Sequence, residues 1–398
     1  MPGDLLTQSL LPSLSRGAEA LEAEWELLLE CAKPHFDQQR LAEKLGAPLE
    51  WRSLIAFADD HGMLGLTAAR LSEHGEPVIP SEHREMLRRW RRNQALFTMN
   101  LSAEMFRLFD SFAASGIQAL VIKGPVLSVR SYGDPGLRQY GDLDLIVRHS
   151  DILRCTELMM ALGYEPTVPV TAIRASKIPG EYNFRHPLTR LLIEFHTELT
   201  FRYHPRPLPL DALFRRHVRE RFDAHEVPAL SPEDELILIC IHGAKHFWER
   251  LIYIADVAAF VSRQHLDWDR VSSAAEEVGA HRMLNVGLRL AVEVLGADLP
   301  ENIAAAARSD SATGRLACQI TRRLPAAGSA PPGILQRTSF RLGMHGGGFS
   351  GLAYLFRLSF SPTEEDWIRG AEGKRHWFLD ALGRPFRLAR KYGRDDKS

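Results

Sequence analysis

Apolar residues in the first part of the chain recur at helical spacing. Leu21, Trp25, Leu28 and Leu29 form one set, Leu54, Ile55 and Ala58 a second, and Phe97, Leu101, Phe106 and Phe109 a third, so residues 5–115 read as helices. Breaks fall at Gly46-Ala47-Pro48, His74-Gly75-Glu76-Pro77 and Ile79-Pro80-Ser81. Ser81, followed by Glu82 and Glu85, reads as an N-cap with acidic residues in the first turn. After Gly116 the pattern changes. Residues 117–122 (IQALVI) are a short apolar run expected to be a buried strand, ended by Lys123-Gly124-Pro125. A short helix is expected over 126–132, a loop at Gly133-Asp134-Pro135-Gly136, and a second strand over 142–147 (DLDLIV). Residues 152–162 read as a helix stopped by Gly163, and 181–186 with 191–196 as a strand pair.

Prolines 205, 207 and 209 make residues 200–210 irregular. Helices are expected again from 210 onward, the strongest over 232–250 with Ser231 as N-cap and Glu233, Asp234 and Glu235 in the first turn. Further helices follow over 251–263, 268–278, 283–295 and 314–324, with loops at 328–333 and 344–349 and a basic stretch from Lys374 to Lys397. Three regions result: helices over 1–115, an α/β core over 116–204, and a larger helical domain over 205–398. The expected fold class is α+β, a small mixed sheet flanked by helices.

The 398 residues agree with more than one domain. With 49 Lys+Arg against 50 Asp+Glu the net charge is −1, which disfavours a strongly basic nucleic-acid binder. Cys31, Cys155, Cys240 and Cys318 are widely separated and read as buried free thiols, suited to a reducing cytoplasm. The N-terminus lacks a signal-peptide pattern, and no apolar run is long enough to span a membrane.

The chemistry is sought in the α/β core. Asp142 and Asp144, one residue apart on an expected strand, put two carboxylates on one face. They repel each other unless a cation lies between them, and Mg²⁺ binds through such oxygens. This is the arrangement of two-metal phosphoryl or nucleotidyl transfer; the ordinary alternative is an exposed DxD. Lys123-Gly124, at a strand-to-helix turn, would let phosphate approach backbone N–H groups at a helix N-terminus. Glu194, between apolar neighbours on a strand, is an unusual buried acid that a metal would compensate, and His196 shares its face. Arg138 could clamp a triphosphate or form a salt bridge with a nearby acid. His242 and His246 share one helix face. With Asp256 they read as a transition-metal site, as residues facing nucleotide or acceptor, or as a structural contact in which His246 pairs with Asp256.

Lys123-Gly124-Pro125, Tyr132, Asp134-Pro135-Gly136, Arg138 and Asp142-Leu143-Asp144-Leu145, with the later Glu194-Phe195-His196, resemble the DNA polymerase β-like nucleotidyltransferase superfamily. More narrowly they resemble its uncharacterised bacterial nucleotidyltransferase family, often linked to exopolysaccharide or modified-peptide gene clusters. Ser231 to Asp234, Leu236, His242, Lys245-His246, Trp248 to Arg250, Asp256 and Arg384 to Leu388 extend the similarity. One departure is Pro125, where the superfamily's phosphate turn has serine; it supplies neither an N–H nor a hydroxyl. The resemblance implies transfer of a nucleoside monophosphate from a nucleoside triphosphate to a hydroxyl on a small molecule, sugar or peptide, with pyrophosphate release. It implies two Mg²⁺ ions, with Mn²⁺ as the substitute, held by Asp142, Asp144 and Glu194. Lys123, Gly124, Arg138, His196, His242 and His246 would face the nucleotide. A toxin-like or regulatory member acting on RNA or protein is the competing reading, followed by a non-catalytic nucleotide-binding module.

Overall fold

A computed structural model describes residues 22–75, 78–174, 180–198, 209–222, 224–326 and 333–345, with single positions at 351, 353 and 356. The expected features at 200–208, 328–332, 346–349 and 374–397 lie outside the described residues, as do Leu21 and the first residues of the chain. Among the described residues no helix is long and apolar enough to cross a membrane.

The fold is helical around one mixed sheet. The strands are β1 (Ala119–Ile122), β2 (Leu143–Val147), β3 (Glu165–Pro166), β4 (Glu181–Arg185), β5 (Leu192–His196), β6 (Val218–Phe222) and β7 (His225–Ala229). Their order is β3-β4-β5-β2-β1-β7-β6. β1 and β2 pair antiparallel, with Ile122 opposite Asp144. β2 and β5 pair parallel, with Asp144 opposite Glu194 and Ile146 opposite His196.

Alternation along these strands gives the sheet two unlike faces. Leu143, Leu145, Val147, Ile193, Phe195, Tyr182 and Phe184 turn to one face and form a core with Leu101, Met105, Leu108 and Phe112 of the long helix Ser81–Ala114. The opposite face carries Asp144, Glu194 and His196. Beside them, Leu120, Ile122 and Ile146 pack against Leu213, Phe214 and Leu238 of the helices Leu210–Arg216 and Pro232–Lys245.

A larger core joins the N-terminal helices to those after residue 231. Leu27, Leu28, Leu54 and Phe57 cluster with Leu251, Ile254, Phe260 and Met283. Leu251 N–H donates to His61 Nδ1 at 3.1 Å, and Arg250 donates to the Asp59 and Asp60 carbonyls. Burial pushes His61 down to about 3, so its ring is neutral and Nδ1 can accept.

Several local expectations change. Ser81 is the first helical residue rather than the cap, which is Pro80. The hairpin β6–β7 stands where a helical stretch is expected. Asp142 precedes β2 instead of opening it. The helix read over 232–250 stops at Lys245, and Ser231 does cap it, its hydroxyl accepting from Asp234 N–H. Phe247 and Trp248 then adopt φ of 58° and 52°. The reason is packing: Trp248 is fully buried, and a Cβ at Gly243 or Gly287 would sit 2.6 or 2.8 Å from its ring. The indole fills the notch those glycines leave, and the chain turns sharply to place it. Cys31, Cys155 and Cys240 are buried thiols, whereas Cys318 is exposed.

Candidate active site

The turn after β1 is the first element of the site. Lys123 has φ 53° and ψ −142°, and Gly124 has φ 49°. Successive positive φ values are strained for lysine and natural for glycine. The turn opens the helix Gly124–Tyr132, with Pro125 in its first turn, where a missing N–H is tolerated. It also lets the Lys123 ammonium reach Asp144 Oδ1 at 3.0 Å.

Asp144 is the hub. His196 Nε2 lies 2.7 Å from the same Oδ1 and 3.7 Å from Glu194 Oε2. Asp144, Glu194 and His196 each offer a ligand atom within 4.8 Å of the others, a donor set able to hold a metal ion. That set contains His196, which the sequence reading places at the nucleotide, and leaves Asp142 outside it. Asp142 remains close enough to act on both other acids.

Their protonation shows the crowding. Burial, then the charges of Asp144 and Asp142, push Glu194 up to about 9. Burial and Asp144 push Asp142 up to about 6. Burial alone would raise Asp144 as well, but the Lys123 ammonium and the His196 hydrogen bond hold it below the usual carboxylate range. Lys123 is raised: its burial opposes charge, and Asp144 and Asp142 overcome that.

The loop between the helix and β2 is tied down at several points. Ser128 Oγ donates to the Asp134 carbonyl at 2.7 Å and accepts from Arg138 N–H at 3.1 Å. Asp134 Oδ1 accepts from Gly136 N–H at 2.7 Å. Gln139 bridges to the N-terminal helices, accepting from Leu64 N–H and donating to Asp59. Arg138 Nε donates to both oxygens of Asp256, at 3.1 and 2.9 Å, and Tyr132 OH donates to Asp256 Oδ1 at 2.8 Å. Asp256 is therefore partnered by Arg138 and Tyr132 rather than by His246.

His242 and His246 lie together, ring centroids 4.7 Å apart, and both contact Tyr253. Burial, reinforced by Lys123 and Lys245, keeps both imidazoles neutral: His242 is far below its usual value and His246 falls to about 3.

Sequence reasoning missed three kinds of site neighbour. Asn183 lies opposite Glu194 on β4, and polar residues alternating along EYNFR were its available signal. Tyr253 sits in an apolar helix and gave none. Arg130 and Glu235 form a buried ion pair beneath the phosphate turn, and the Lys123 backbone N–H lies against the Glu235 carboxylate. An arginine within VLSVRSY was the hint.

A family model described as "uncharacterised nucleotidyltransferase" matches residues 47–296. That span is more than half of the chain and includes every one of these site residues. The chain belongs to the uncharacterised nucleotidyltransferase family. It is accordingly a transferase, and the family resemblance read from the sequence holds. No curated protein matches it. Among solved structures, a lincosamide antibiotic adenylyltransferase, LnuA, with lincomycin bound, is similar at 14% identity and a TM-score of 0.29. The alignment covers 41% of this chain and 97% of that one.

Proposed function

We propose that this nucleotidyltransferase moves a nucleoside monophosphate from a nucleoside triphosphate to a hydroxyl of a small molecule, sugar or peptide, with Asp142, Asp144 and Glu194 at its centre. The observation that carries the reading is the side-by-side pairing of Asp144 with Glu194 on parallel strands, next to a lysine at a helix N-terminus. Two adjacent carboxylates, Asp144 buried and Glu194 half-buried and pushed up to about 9, are a poor arrangement without a cation. The donor set of carboxylates and one imidazole suits a divalent ion. Asp144 and Glu194 would hold it, with Asp142 at a second ion and His196 as orienting partner or ligand. Bound Mg²⁺ or Mn²⁺ would supply positive charge at the phosphates and lower the acceptor hydroxyl's pKa.

The protein's own groups do the rest. Gly124 N–H and the helix dipole face an anionic phosphate. Lys123, and the Arg138 terminal nitrogens, which carry no protein hydrogen bond among the described residues, neutralise charge on the triphosphate. Glu194, ionised once a cation joins the site, accepts the hydroxyl proton. The acceptor oxygen forms a bond to the α-phosphorus as the bond to the bridging oxygen breaks, and pyrophosphate leaves with that electron pair. Pro125 removes one serine-type contact, so affinity for the triphosphate rests more on the backbone and on Lys123 and Arg138.

The test uses each of the four labelled ribonucleoside triphosphates, Mg²⁺, and a cell extract as the source of acceptor. Label transfer with pyrophosphate release, lost in Asp142→Asn/Asp144→Asn, is expected. Absence of both transfer and metal-dependent nucleotide binding would overturn the reading.

A further inference from the structure

The carboxylate chemistry leaves one polar feature beside the site unused. His242, His246 and Tyr253 form a ring cluster with centroid separations of 4.7, 5.3 and 5.5 Å. Among the described residues no hydrogen bond engages their ring nitrogens or the Tyr253 hydroxyl. His242 and His246 are half-buried, and none of these polar atoms is sealed from solvent, so they are open to a ligand.

Their position follows from two anchors. Tyr253 and Asp256 are three residues apart on the helix Leu251–Arg263 and share a face, and Asp256 holds Arg138 and Tyr132. At the other end, Lys245 Nζ lies 3.6 Å from Glu181 on β4, which pairs in register with His196. The rings are thus held between Arg138 and the metal-ligating face. The charges acting on them are mostly positive: Lys123, Lys245, Arg138 and Arg250, with Glu181 opposing at His246 and Glu249 and Asp256 opposing at Tyr253. Trp248, locked between Gly243 and Gly287, fixes the break between the two helices that carry the rings.

We propose that His242, His246 and Tyr253 bind the terminal phosphates of the nucleoside triphosphate and hold the departing pyrophosphate, an inference that rests on the nucleotidyl-transfer reading. Each neutral imidazole has one N–H to donate and the phenol one O–H, and phosphate oxygens accept all three. A polyphosphate would also meet Lys123, Lys245 and Arg138, the cations that act on these rings, which a neutral acceptor would not engage. Its arrival favours the imidazolium form and so strengthens the same contacts. Lys123 is positioned to share the load from the sheet side.

The experiment is calorimetry on the full chain with Mg²⁺, using the four nucleoside triphosphates, the matching monophosphates and inorganic pyrophosphate. The variants are His242→Gln/His246→Gln, His246→Gln alone and Tyr253→Phe, with Asp144→Asn as reference. Expected is a loss of about tenfold to a hundredfold in triphosphate and pyrophosphate affinity in the histidine variants, with monophosphate affinity unchanged. Tyr253→Phe, which keeps the ring, should lose severalfold on the same two ligands. Retained pyrophosphate affinity in the histidine variants, while Asp144→Asn abolishes metal-dependent binding, would overturn this inference and leave the transferase reading standing. Equal losses on monophosphate and pyrophosphate would also overturn it. Absence of binding of every probe by the wild type would overturn both.

Discussion

The helix Gly124–Tyr132 separates two ways of handling buried charge. On its far side, cations meet acids in matched sets. Arg130 pairs with Glu235 and with Glu220 at 2.7 Å and donates to the Leu230 carbonyl. Arg138 holds both oxygens of Asp256, which also accepts from Tyr132. At its N-terminus, Asp142, Asp144 and Glu194 crowd around Lys123, the ammonium in direct contact with Asp144 and acted on by the charges of the other two. The matched sets hold the helix to the hairpin β6–β7 and to the helices behind it. The crowded set is left short of positive charge. The difference teaches where to look for a ligand: burial of charge alone marks structure, whereas burial with a mismatch in sign marks a place for something that brings charge of its own.

The comparison can be broken most directly at Asp256. Asp256→Ala leaves Arg138 buried without its acid and should cost about 3–5 kcal/mol of stability by urea denaturation. A loss below ~1 kcal/mol would mean that this pair is not what holds the loop. Asp144→Asn should act in the opposite sense, lowering pyrophosphate release by about 10²–10³-fold with a smaller loss of stability than Asp256→Ala. Equal losses of stability would erase the distinction between the two regions.

A finer test uses pH. Glu194 rises from 4.5 to about 9 and Asp142 from 3.8 to about 6 in the folded chain. A raised carboxyl binds its proton more tightly when folded. Its contribution to stability is therefore complete below the unfolded pKa and lost as pH climbs through the folded one. Without added metal, the wild type should lose stability relative to Glu194→Gln between about pH 5 and pH 9. Mg²⁺ should close the gap. Parallel melting curves for the two proteins across that window would show that the acids are not mutually strained. The smallest effect is expected at Arg308 and Glu301, whose side chains are 50% and 87% exposed. Arg308→Ala should stay within ~0.5 kcal/mol.

What the sequence made legible was local. The apolar run ALVI, the acid-apolar alternation of DLDLIV and the paired runs EYNFR and LLIEFH each contain their strand in a few residues. Lys123, Asp144, Glu194 and His196 were accessible because their neighbours are apolar. The hairpin β6–β7 was not, since VRERF and HEVPA have few apolar positions and no Asn-Gly or Asp-Gly turn between them. Partnerships across the chain were equally hidden. Glu235 reads as an exposed acid complementing its helix dipole, yet it is buried against Arg130, and nothing near either residue announces the other. The early end of the helix at Lys245 depends on Trp248 finding Gly287, a contact that no window of the sequence contains.

The strand order also bears on how the chain acquires its site during synthesis. β2 must wait for β5, and β1 finds β7 only once Ala229 has been made, through the Val121–Ala229 pairing. Late, long-range closure of this kind slows folding and leaves apolar strand edges open on a growing chain. The N-terminal helices, complete much earlier, have their own docking surface on Leu251 and Ile252, which emerge later still. A ribosome-bound fragment ending before that point would hold all three acids without the helix that carries Asp256, the partner of Arg138. Such a fragment is a natural client for chaperones, and metal-dependent nucleotide binding should appear only after the helix Leu251–Arg263 has left the exit tunnel.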